Sequence, residues 1–270
     1  MKEVSAALGD VTDDAFLGGA LRILQPSDGY RAGIDAVLLA AAAPVRAGRR
    51  ERVLDAGAGA GVVGLAVAWR APRAEVTLVE REPRLVKLAR GNATRNGLHA
   101  RVRVLAADLT RRLDASADLR AAAGTFDHVL ANPPYNPTSA GTVSRHALKA
   151  GAHAMREGDL SRWARFMAAM VRPGGTATMI NRADALDAVL AAFAGRFGGL
   201  LVYPLFPREG KSAIRVLVQG IKGSSAPTEL SPGLVLHGPG HGFRQQVEAI
   251  LRGGEGLSLR EPGAKKAAGP

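Results

Sequence analysis

The chain has 270 residues, 47% of them hydrophobic, enough to bury one substantial core. It contains no cysteine, which excludes disulfides, thiolate catalysis and cysteine-type zinc sites. A formal net charge of +12 makes a polyanion such as RNA the first partner chemistry to weigh, against a role in solubility alone. From Asp35 onward, short apolar runs alternate with helical stretches, the pattern of a doubly wound α/β fold with helices on both faces of a mostly parallel sheet. Asp35 is expected to cap a helix running to Val45. A strand follows at Arg52–Ala56, then a helix opening at Val62–Trp69, a strand at Glu75–Glu80, and a helix from Pro83 to about Asn96, stopped by Gly97. Strands are predicted next at Arg101–Ala106 and Phe126–Ala131, the second ended by two prolines that cannot donate to a ladder. Beyond them lie a helix near Asp159–Val171, a strand at Thr176–Asn181 and a helix from Asp184 to about Phe197. Leu200–Phe206 and Ala213–Gly220 close a seven-stranded sheet as an antiparallel hairpin. The remainder is rich in Gly, Pro and Ser, with one helix expected at Phe243–Leu251 and a disordered tail.

Val53-Leu54-Asp55-Ala56-Gly57-Ala58-Gly59-Ala60-Gly61 sets a carboxylate at a strand end and three glycines in the turn into the next helix, where backbone comes close to a ligand. Gly59-Ala60-Gly61-Val62-Val63-Gly64 also satisfies the dinucleotide fingerprint, with Glu80 at the spacing of its ribose-binding acid. An anionic Asp55 ahead of the glycines would repel pyrophosphate but attract the ammonium of a methionine moiety, which favours S-adenosylmethionine over NAD. Glu80 then suits the ribose hydroxyls and Asp108 the adenine amine. Taken singly, both acids also read as strand-end caps or solvated surface groups.

Asn132-Pro133-Pro134-Tyr135 follows the fourth strand, at the same sheet edge as the glycine loop. An exocyclic amine on a base ring is a poor nucleophile because its lone pair is delocalised. The Asn132 side-chain oxygen and the Pro133 carbonyl can accept its two N–H bonds and aim the lone pair at a methyl, with Tyr135 stacked on the ring. In isolation the same tetrapeptide is a stiff turn with an exposed aromatic.

With Asp55, Gly57, Gly59, Gly61, Glu80, Asp108 and Asn132–Tyr135 in order, residues 30–220 resemble the amino-group methyltransferases of the class I S-adenosylmethionine family. That resemblance implies an N-methyltransferase acting on adenine in nucleic acid, on guanine in ribosomal RNA, or on a release-factor glutamine. A narrower likeness rests on Gly29–Leu39, Ala213–Val218, Leu234–His237 and Val247–Arg252. These segments are similar to the bacterial tRNA adenine-N6 methyltransferases that modify the purine beside the anticodon of a valine tRNA. It implies that Arg31–Asp35 border the cofactor's methionine end.

A methyltransferase domain is expected over residues 1–222, an N-terminal extension included, followed by a C-terminal extension over 223–270. Arg208, Lys211, Arg215 and Lys222 could track RNA phosphates along the final hairpin, or form the polar face of a half-buried sheet. His146 and His153 have no companion ligands at metal-binding spacing, so no metal is expected. Trp69 and Trp163 read as core or interface. Neither the polar start of the chain nor the short run Ala36–Val45 resembles a signal or membrane segment, so a cytoplasmic enzyme with tRNA or another structured RNA as partner is expected. A protein-glutamine methyltransferase and a catalytically silent RNA-binding module are the competing readings.

Overall fold

The computed structural model describes residues 10–29, 31–111, 116–134, 159–240 and 242–260. Its centre is the expected parallel sheet. In spatial order the long strands are β8 (Gly198–Phe206), β9 (Arg215–Ile221), β7 (Val171–Arg182), β6 (Phe126–Ala131), β3 (Arg52–Ala56), β4 (Glu75–Glu80) and β5 (Val102–Ala106). The strands from β7 to β5 run parallel, and β9 is antiparallel to both β7 and β8. Two two-residue strands, β10 (Glu229–Leu230) and β11 (Leu234–Val235), extend the outer edge by pairing with β8.

Period-two alternation sends Val53, Val76 and Leu78 to one face of the sheet, and Leu54, Val79 and Leu105 to the other. The first face is covered by α1 (Ile34–Ala42), α2 (Val62–Arg70), α3 (Pro83–Arg95) and α7 (Gln245–Gly253). The second is covered by α4 (Ala117–Ala121), α5 (Asp159–Met170) and α6 (Leu186–Phe193). Among the described residues, no helix is long and apolar enough to cross a membrane.

Several boundaries differ from expectation for local reasons. Gly33, not Asp35, is the N-cap of α1, and Asp35 sits in its first turn. The helix stops at Ala42 rather than Val45 because Ala43 precedes Pro44 and takes an extended conformation. α6 ends at Phe193, four residues early, where Gly195 turns the chain with φ +70°. α7 begins at Gln245, leaving Phe243 to stack on His237 with ring centroids 4.6 Å apart. An antiparallel hairpin of β1 (Val11–Phe16) and β2 (Leu21–Pro26), for which the sequence offered no clear pattern, precedes α1. The tail expected from Glu261 onward lies outside the described residues.

Candidate active site

The C-terminal ends of β3, β4, β5 and β6 meet at one sheet edge, since Ala56 registers with both Val79 and Ala131, and Glu80 with Ala106. Each of the acids and the Asn-Pro-Pro turn is therefore delivered to this edge by its strand, where open α/β sheets bind ligands.

The loop from β3 to α2 is made by glycines in the left-handed region: Gly57 at φ +67°, Gly59 at +57° and Gly61 at +97°. Their surroundings differ. A Cβ on Gly57 would meet the Trp163 ring at 2.3 Å, and one on Gly61 would crowd Leu78 and Leu65 at 3.1 and 3.2 Å. A Cβ on Gly59 would meet nothing within 4 Å. Gly57 and Gly61 thus serve packing, and Gly59 is the position where the loop backbone faces open space.

Glu80 holds this loop in place. One oxygen accepts from the Gly59 N–H at 2.9 Å, and the other accepts from the N–H groups of Arg81 and Glu82 at 2.8 and 2.9 Å. A carboxylate offers about four lone-pair sites, so acceptor capacity is left for a ligand hydroxyl. Asp108 folds the turn after β5, accepting at one oxygen from the Thr110 N–H at 2.9 Å and hydroxyl at 2.7 Å. Burial pushes its carboxyl up, but the Thr110 bonds and the Arg81 and Arg111 cations outweigh burial and hold it below its ordinary value.

Asp55 departs from expectation. Rather than standing at an exposed strand end, it is 1% exposed and lies beneath the loop, accepting from the Gly64 N–H of α2 at 2.9 Å. Burial raises its pKa to about 7, the Gly64 bond opposing the shift and the Glu80 charge adding to it. Its position is that of a brace between β3 and the first turn of α2. Truncation to Ala would strand the buried Gly64 N–H and cost stability.

Asn92, which the sequence did not single out, and Trp163, expected in the core or an interface and buried as expected, complete the loop. Asn92, fully buried on α3, donates to the carbonyls of Ala60 at 2.9 Å and Leu24 at 3.0 Å, and accepts from the Leu24 N–H at 2.8 Å. It ties the glycine loop to the β1–β2 hairpin. Trp163 on α5 supports the other side of the loop at Gly57. An asparagine among the buried Leu88, Ala89 and Ala93 of an amphipathic helix was the signal for the first.

Arg31 and Asp35 are engaged in ion pairs within the protein. Arg31 contacts both oxygens of Asp14 at 2.7 Å, and Asp35 accepts from Arg215 Nε at 2.7 Å. Arg215, expected on the RNA side, is thereby brought to the same region as Asp35. Arg208 and Lys211 lie in the β8–β9 turn at this edge, with Arg208 donating to the Gly238 carbonyl at 2.8 Å. Lys222, seven residues along β9 from Arg215, is at the opposite edge about 23 Å away, and its ammonium donates to the Val171 carbonyl at 2.8 Å. The four cations therefore do not form one patch.

At the end of β6, Pro133 is buried, Asn132 half-buried and Pro134 exposed. Tyr135, His146 and His153 lie outside the described residues. Trp69 is 37% exposed and packs its ring on Gly254.

Comparison with known proteins agrees with this geometry. The methyltransferase small domain family matches residues 33–162. A tRNA1(Val) (adenine(37)-N6)-methyltransferase of Porphyromonas gingivalis is 31% identical over 49% of this chain and 54% of its own. A release factor glutamine methyltransferase of Bordetella pertussis is 40% identical over 31% of this chain and 28% of its own. The chain thus spans about half or less of the length of these curated relatives. The solved structure of a predicted O-methyltransferase from Agrobacterium tumefaciens is 34% identical, with a TM-score of 0.69, covering 83% of this chain and 98% of that one. With a relative matched over nearly its whole length and the glycine loop, Glu80 and Asp108 gathered at one sheet edge, the chain belongs to the class I S-adenosylmethionine-dependent methyltransferases.

Proposed function

We propose that the protein transfers a methyl group from S-adenosylmethionine to an exocyclic amino group, adenine N6 in tRNA. The observation that carries this reading is the Asn132-Pro133-Pro134 turn at the end of β6, whose last residue Ala131 registers with Ala56 at the start of the glycine loop. S-adenosylmethionine supplies an activated methyl on its sulfonium. The Gly59 backbone and Glu80 would hold the ribose, and Asp108 would take the adenine amine. Asn132 Oδ1 and the Pro133 carbonyl accept the two N–H bonds of the substrate amine, which draws its nitrogen toward tetrahedral and exposes the lone pair. Transfer to this nitrogen would place positive charge on it, which the same two oxygens are placed to stabilise until one N–H proton passes to solvent, S-adenosylhomocysteine being the other product. Tyr135 would stack on the base. The sequence likeness to tRNA adenine-N6 methyltransferases and the net charge of +12 favour RNA over a release factor.

Incubating the protein with methyl-labelled S-adenosylmethionine and either total tRNA, ribosomal RNA or release factor, then locating the label, tests the proposal. N6-methyladenine in tRNA is the expected product. A methylated glutamine, guanine N2 or hydroxyl oxygen would each replace it.

A further inference from the structure

The sheet carries a concave feature at the opposite edge from the glycine loop, a cavity of about 800 Å³ at the N-terminal ends of β3, β4 and β5. Alternation explains it. Arg52 on β3, Glu75 and Thr77 on β4 and Arg103 on β5 project from the same face as Leu54, Val79 and Leu105, while Arg50, Arg73 and Arg101 come from the loops just ahead of these strands. On that face α5 and α6 pack on β6, β7 and β9. They leave the starts of β4 and β5 uncovered by these two helices.

The cavity lining sets five arginines, Arg50, Arg52, Arg73, Arg101 and Arg103, against one carboxylate, Glu75. Arg50 pairs with Glu75 at 2.9 Å, and Arg103 reaches Asp118 at 2.8 Å. The other three guanidiniums are fixed by neutral groups. Arg73 donates to the Gly48 carbonyl at 3.0 Å, Arg101 to the Ala71 and Ala74 carbonyls at 3.3 and 3.4 Å, and Arg52 lies 4.9 Å over the Phe126 ring. Among the described residues, no carboxylate forms an ion pair with Arg52, Arg73 or Arg101. Such bonds orient a guanidinium without neutralising it, and each one keeps further N–H donors for an incoming anion. A solvated face of a stable domain gains nothing from concentrating uncompensated cations, which repel one another.

We infer that this basin is a second contact surface for RNA, which binds its phosphate backbone away from the reaction edge; the identity of the polyanion rests on the RNA reading above. About 17 Å of sheet separates the two edges, at 3.3 Å per residue over a five-residue strand, so one structured RNA can reach both. The basin contributes affinity and orientation without reading sequence.

The test is an Arg73→Gln/Arg101→Gln variant of the full chain, with Arg73→Lys/Arg101→Lys as its charge-preserving counterpart. Thermal melts and S-adenosylmethionine titration establish that fold and cofactor affinity are retained. tRNA binding is then measured from 50 to 300 mM salt, alongside kcat and KM for methyl transfer. The Gln variant should weaken tRNA binding about tenfold at 0.15 M salt. It should also lower the log–log salt slope by about 1 to 2, raise KM, leave kcat unchanged, and be rescued by the Lys variant. Unchanged affinity and slope in the Gln variant, while the wild type methylates tRNA, overturns the basin alone. So does loss of affinity for polyglutamate but not for tRNA, which would make it a protein-binding face. A wild type that binds tRNA through the basin yet transfers no methyl to it keeps the basin and removes the substrate reading.

Discussion

Replacing Asp55 by Asn isolates the one carboxyl that the fold places wholly beneath the glycine loop. Asp55 has a pKa of about 7 in the folded chain against an ordinary value of 3.8, burial being the largest cause. A difference of about 3 units at 1.36 kcal/mol each makes ionised Asp55 cost about 4 kcal/mol of stability. The sign follows from proton counts. Between pH 4 and 7 the folded chain holds a proton that the unfolded chain has released, so stability falls as pH rises through that window and the loss is complete above it. Asn carries no charge, and its side-chain oxygen can still accept from the Gly64 N–H. Chemical denaturation of both proteins at pH 4.5, 6 and 8 should show the variant gaining on the wild type by about 3 kcal/mol across the series, the remainder being lost already below pH 4.5. Subtraction removes the other acids, such as Asp13, Asp14 and Asp127, which are held below their ordinary values and lose their contribution at low pH. Parallel pH profiles for the two proteins would refute the burial argument.

Other perturbations divide the loop's roles. Gly59→Val imposes φ +57° on a β-branched residue and fills the one open side of the loop, so S-adenosylmethionine binding by calorimetry should fall below detection and Tm should drop by several degrees. Glu80→Gln weakens three charge-assisted backbone bonds, and cofactor Kd should rise about tenfold or more while the melting transition stays cooperative. Asn92→Ala removes the tie among α3, the hairpin and Ala60, and should cost about 2 to 4 kcal/mol in denaturant unfolding, since the buried bond to the Ala60 carbonyl and the two part-buried bonds to the Leu24 backbone are lost.

The parallel sheet was legible because its strands are short apolar runs separated by amphipathic helices, and a register of strand ends automatically collects Glu80, Asp108 and Asn132 at one edge. The glycine loop was legible for the same reason, but which glycine has open space beside it was not, since Trp163, more than a hundred residues later, packs on Gly57 and leaves Gly59 clear. The β1–β2 hairpin was hidden because Asp13 and Asp14 interrupt its apolar alternation, and they are accommodated there by Arg22, Arg95 and Arg31. Asp35 and Arg215 form an ion pair across 180 positions of sequence, a contact that no local pattern announces. Asp55 was read as a charge offered to the ligand, when its place on β3 points it toward α2 and burial leaves it half-protonated near neutrality.

The claim that Asn132 and Pro133 form a cradle for the substrate amine is tested most directly by Asn132→Ala, with single-turnover methyl transfer to tRNA and S-adenosylmethionine affinity measured on the same preparation. The substitution deletes one acceptor of the amine while leaving the glycine loop, Glu80 and Asp108 in place. Cofactor affinity should stay within about a few-fold and the transfer rate should fall by roughly two orders of magnitude or more, the effect of losing one preorganised group aimed at developing charge. A variant that transfers at a near-normal rate would show that the Asn-Pro-Pro segment is only a turn, and would contradict the mechanism.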